Sequence, residues 1–99
     1  MPAVTFEPAG PGRYRVIGAL QFDTVAEALE TSRELFSGHK QLELDLQGVE
    51  TTDSAGLALL VEWVGEAQRE NRSIRFRNLP AQALALARIS EVDKLLPTG

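Results

Sequence analysis

The chain has 99 residues, 43% of them hydrophobic, with a net charge of -4, one histidine and no cysteine. This length suits one domain over residues 1–99 and a core that needs no covalent staple, and the missing thiols exclude a disulfide framework and favour a reducing, cytoplasmic setting. The acidic balance argues against a nucleic-acid partner, because a duplex binder must neutralise phosphates. The one basic cluster, Arg69, Arg72, Arg75 and Arg77, reads as solvation of a helix end and an edge strand. Met1 to Val4 lacks the charged start and apolar run of a secretory signal. The longest apolar stretch, Leu57 to Val61, is far short of the ~20 residues that span a bilayer, so no direct membrane insertion is expected.

In chain order, residues 3–7 form a first strand and Pro8 to Gly12 a turn. Arg13 to Ile17 alternate as a second strand that stops at Gly18. Thr24 and Glu27 have the spacing of a capping box for a first helix, whose apolar face carries Val25, Ala28, Leu29, Ser32, Leu35 and Phe36. Gln41 to Leu46 alternate as a third strand, with Leu42, Leu44 and Leu46 on one side. Gln47 to Asp53 read as a loop and Ser54 to Asn71 as a long second helix. Ser73 to Arg77 make a fourth strand, and Pro80 opens a third helix bearing Ala83, Leu84, Ala87 and Ile89. The order β-β-α-β-α-β-α implies an α/β fold: a mixed sheet of about four strands with helices packed against it.

The chemistry gathers at Thr52, Asp53, Ser54 and Ala55, where strand hands over to helix. A helix N-terminus offers unpaired N–H groups and a positive dipole, suited to capping oxygens or an anion. Small Ala55 and Gly56 are expected to leave the backbone open to another molecule. Taken alone, Ser54 or Asp53 is a helix cap, and only one of the two is needed for that.

Asp53-Ser54-Ala55-Gly56-Leu57 resembles the signature loop of STAS domains, the family of anti-sigma factor antagonists, and Gly18 to Thr24 resembles the same family's passage from second strand to first helix. The run Thr52 to Leu60 is similar, more specifically, to MlaB-type STAS subunits of phospholipid ABC transporters. The resemblance spans roughly residues 13–97. It implies a SpoIIAA-like fold and no catalysis. It further implies a cytoplasmic accessory role, peripheral to the inner membrane, on the transporter's ATPase subunit, modulating ATP hydrolysis in support of outer-membrane lipid asymmetry. By the same resemblance Ser54 is the contact hydroxyl, flanked by Thr52, Asp53 and Ala55. In the anti-sigma antagonist alternative, Ser54 is the phosphorylated serine.

In the second helix, Leu57, Leu60, Val61 and Val64 recur at core spacing, while Leu59 and Trp63 lie on another side. Leu59 and Trp63 are candidate apolar supports of the docking surface, with peripheral core as the competing role for Trp63. A Ser-His-Asp triad is excluded because His39 begins the third strand, ~16 Å from Ser54 across about five residues at ~3.3 Å each. One His and no Cys give no metal-ligand cluster, and no phosphate-binding glycine motif is present, so no cofactor is expected.

Overall fold

The alternation of apolar and charged residues along each strand decides the architecture. The computed structural model describes residues 3–98. Strands β1 (Thr5–Pro8) and β2 (Arg13–Leu20) are followed by α1 (Val25–Phe36), β3 (Gln41–Asp45) and β4 (Val49–Thr52). Then come α2 (Ser54–Arg69), β5 (Ser73–Arg77), α3 (Ala81–Ile89) and a single 3-10 turn at Asp93–Leu95. β1 runs antiparallel to β2; β2 is parallel to β3 and β4, and β3 is parallel to β5. One edge of β2 therefore receives β3 at Arg13–Arg15 and β4 further along, at Gly18–Leu20.

The sheet has five strands rather than about four, because the segment expected to be a loop at Gln47–Asp53 contains β4. Two features hid it. The strand is only four residues long, and three of them are polar. It is also reached by a tight turn in which Val49 N–H donates to the Leu46 carbonyl at 3.0 Å. Likewise β2 does not stop at Gly18 but bends through it at φ 120°, a conformation open chiefly to glycine, and runs on to Leu20. This extension carries the strand up to the head of α2.

Tyr14, Val16, Leu42, Leu44, Ile74 and Phe76 point to one face and are buried. The opposite face carries cross-strand rows Arg13–Glu43–Arg75 and Arg15–Asp45–Arg77. Its ion pairs, such as Arg15 with Glu7 at 3.0 Å, are exposed and contribute about 0–1 kcal/mol each. Stability resides on the covered face.

There α2 touches β2, β4 and β5 and has α1 and α3 as flanking neighbours. It is the middle helix of its layer, so it needs more than one apolar stripe. This corrects the expectation for Leu59 and Trp63: at 4% and 1% exposure they are core, out of reach of any partner. The Trp63 indole N–H donates to Ser32 Oγ at 2.8 Å, and its ring lies 6.0 Å from Phe6 and 5.9 Å from Phe36. Ser32 Oγ in turn donates to the Leu29 carbonyl, so both buried polar groups are satisfied. On α3, Ala83 and Ala87 are buried as expected, whereas Ile89 is 80% exposed at the helix end. No helix is long and apolar enough to cross a membrane among the described residues.

These contacts set measurable costs. Trp63→Ala should lower stability in urea denaturation by about 3–5 kcal/mol. Ser32→Ala, which leaves the indole N–H buried without its acceptor, should cost about 1–3 kcal/mol.

Candidate docking site at the head of the second long helix

Asp53 organises this site. Its backbone is extended, and its carboxylate Oδ1 accepts the Gly56 N–H at 3.0 Å, the geometry of a helix N-cap. Its Oδ2 accepts the Phe22 N–H at 3.1 Å, thirty-one residues away on the passage from β2 to α1. Desolvation pushes the Asp53 carboxyl up, but the N–H groups of Gly56, Phe22, Ala55 and Asp53 itself outweigh it and hold the group below its ordinary value of 3.8.

The two hydroxyls beside Asp53 have different fates. Thr52 is buried; its Oγ1 donates to the Leu20 carbonyl at 3.1 Å and its N–H donates to Gln82 Oε1 at 3.1 Å. Thr52 therefore bolts the end of β4 to β2 and α3, and its hydroxyl faces inward. Ser54, the first residue of α2, is exposed and its hydroxyl makes no hydrogen bond among the described residues. Of the two candidate caps, Asp53 does the capping and Ser54 is left free. Ala55 is half-buried beside it.

Gly56 works differently from the expectation. It is buried, and a Cβ there would collide with Thr52 Oγ1 and the Leu20 carbonyl oxygen. The bare backbone lets α2 seat against the end of β2; it is not an opening for another molecule. Thr24 is a second correction. It precedes α1 but its side chain caps nothing in that helix. Instead Thr24 Oγ1 accepts the Gln21 N–H at 3.0 Å and lies 2.7 Å from the Ala19 carbonyl, to which it donates. The hydroxyl locks the turn before the helix.

That turn displays a residue with no local pattern to mark it as functional. Phe22 is 84% exposed, and its N–H bond to Asp53 joins it to the Ser54 loop. A phenylalanine between Gln21 and Asp23, just past the end of a strand, was the available signal. The two segments that Asp53 joins carry Asp23 and Glu27 on one side and Glu50 and Asp53 on the other, and neither residues 19–27 nor 49–58 contain a Lys or Arg.

His39 stands at the other end of β3, its ring 6.4 Å from that of Tyr14, far from Ser54 along the strand direction. Among the described residues no group of three His, Cys, Asp or Glu is placed to hold a metal ion. A groove of about 380 Å³ lies away from this site, on the open sheet face, lined by Arg13, Gln41, Glu43, Ser73 and Arg75 among others.

The acid side of the stability profile reports on Asp53. A carboxyl with a depressed folded-state value contributes stability that is complete above 3.8 and is lost as pH falls through the lower folded value. Asp53→Ala should cost about 1 kcal/mol near neutral pH, and that difference from the parent should shrink below the ordinary carboxylate range in a urea–pH series.

The family model described as "Mlab, STAS domain" matches residues 8–97. Among solved structures, the anti-sigma factor antagonist SpoIIAA in its unphosphorylated form superposes with a TM-score of 0.68 at 15% identity, over 97% of this chain and 86% of that one. A protein named Mglu gives a TM-score of 0.61 at 22% identity, over 79% of this chain but 20% of its own length. Both structural likenesses speak to the fold. A search of curated proteins finds no match.

Proposed function

Because this chain belongs to the STAS domain family, by its match to the MlaB-labelled model, we propose that it is a non-catalytic accessory subunit that docks on the cytoplasmic ATPase of a phospholipid ABC transporter and modulates ATP hydrolysis there. STAS domains are protein-interaction modules, and the finer assignment follows the label of the matching model. The carrying observation is the exposed Ser54 hydroxyl, without a hydrogen-bond partner among the described residues, at the head of a helix whose cap comes from Asp53. A group released from structural duty on a rigid frame suits recognition by another protein. Asp53 supplies the frame, Ser54 and Ala55 the contact, and Thr52 braces them from within.

A second reading, an anti-sigma factor antagonist switched by phosphorylation of Ser54, draws on the same free hydroxyl. The helix N-terminus would attract a phosphate there, while the adjacent Asp53 would repel it. The carboxylates of residues 19–27 and 49–58, segments with no Lys or Arg to receive a phosphate, favour the transporter reading over a phosphorylation switch.

Ser54→Arg is the test. It should abolish co-elution with the transporter ATPase subunit in size-exclusion chromatography, while the thermal midpoint moves little, since an exposed cation in a first helical turn costs only about 0.3–1 kcal/mol. Undiminished co-elution by the variant would remove Ser54 from the contact. Failure of the parent chain to bind the ATPase, together with recovery of a serine kinase from lysate, would instead favour the second reading.

A further inference from the structure

We propose that Phe22 is the apolar anchor of this docking surface, and that the partner receives it in an apolar cleft rimmed by lysine or arginine side chains. The proposal rests on the reading above and adds the partner's chemistry to it.

Phe22 combines a fixed backbone with a free ring. Phe22 donates its N–H to Asp53 Oδ2 at 3.1 Å, Gln21 donates to Thr24 Oγ1 at 3.0 Å, and Thr24 donates its N–H back to the Gln21 carbonyl at 2.9 Å. Thr24 Oγ1 closes the set by donating to the Ala19 carbonyl at 2.7 Å. A turn so bonded has little backbone freedom left to lose on binding. Yet the ring it carries is 84% exposed, so the apolar surface of an aromatic side chain stays in water unless a partner covers it. Ile89 and Leu95 are also exposed, at 80% and 53%, but they lie near the C-terminal end of the chain and have no bond to the Ser54 loop. Phe22 alone of the three is tied to that loop.

Charge sets the same region apart. Along α2 and on the open sheet face acids find arginines: Glu62 with Arg69, Glu66 with Arg33, Glu70 with Arg72, Glu7 with Arg15, and Glu43 with Arg13 and Arg77, whereas Glu30, Glu34, Glu91 and Asp93 make no ion pair among the described residues. Asp23 next to Phe22, Glu27 in the first turn of α1 and Glu50 in β4 make no ion pair among the described residues, and Asp53 is held by N–H groups; the segments 19–27 and 49–58 that carry them hold no Lys or Arg. An exposed ring on segments that carry carboxylates and no cation complements a surface with an apolar centre and a basic rim.

The test is calorimetric titration of the full chain with the transporter ATPase subunit at two ionic strengths. Phe22→Ala should raise Kd by about 30-fold or more, the range of interface hot spots, with an unchanged thermal midpoint. Phe22→Trp should retain most of the affinity, and Ile89→Ala should retain all of it. Added salt should weaken the parent complex, and the double variant D23K/E50K should bind weakly with a flatter salt response. If the parent binds and Phe22→Ala binds equally well, the anchor is elsewhere and this proposal falls while the transporter reading stands. If affinity ignores salt, the basic rim is wrong. If the parent does not bind the ATPase at all, the transporter reading itself fails, and this proposal with it.

Discussion

A single carboxylate does two jobs at the head of α2, and the site depends on both. One oxygen of Asp53 satisfies the N–H of Gly56 in the first turn of α2, while the other satisfies the N–H of Phe22 on the turn before α1. Two segments distant in sequence are thereby held side by side through charge-assisted hydrogen bonds, which are stronger than neutral ones. The consequence is a division of labour among neighbours. Asp53 and Thr52 bind the frame together, Gly56 lets the frame close on the Leu20 carbonyl, and Ser54 and Phe22 are left facing outward.

The same economy shapes the rest of the molecule. All three helices cover one sheet face, so the other can carry arginine and carboxylate rows without burying a charge. α2 sits in the middle of the helical layer and is apolar on its flanks as well as underneath. The aromatic group of Phe6, Phe36 and Trp63 brings the edge strand β1 into contact with α1 and α2. The proposed docking face is thus a small outward-facing part of a well-packed frame, the arrangement a binding module requires.

Much of this was legible in the residues, for reasons of periodicity. β3 and β5 alternate strictly over five residues each, and helical spacing marks α1 and α2. Apart from that at Thr24, whose partners are local, the misreadings share a cause: each depended on a neighbour that is distant in sequence. β4 is defined by pairing with β2 across a bent register, which no local alternation announces. Trp63 looked spare only because the flanking helices of α2 are set by topology. Thr24 has the right spacing for a capping box, but its hydroxyl is taken by Ala19 and Gln21. Gly56 is small for the sake of Leu20, thirty-six residues earlier. At the site itself, Ser54 and Asp53 stood out because hydroxyl and carboxylate fall at a strand-to-helix boundary. Which of them capped the helix, and that Phe22 stood beside them, required the tertiary bond between Asp53 and the Phe22 amide.

The central claim is that recognition occurs on the surface shared by the Gln21–Thr24 turn and the first turn of α2. Amide hydrogen exchange of the chain, with and without the transporter ATPase subunit, tests it most directly, since the footprint needs no substitution. The account predicts added protection at residues 22–24 and 54–58, with the open sheet face and the end of α3 unchanged. Protection confined to the arginine rows of the sheet or to the region around Ile89, with those two segments unaffected, would contradict it.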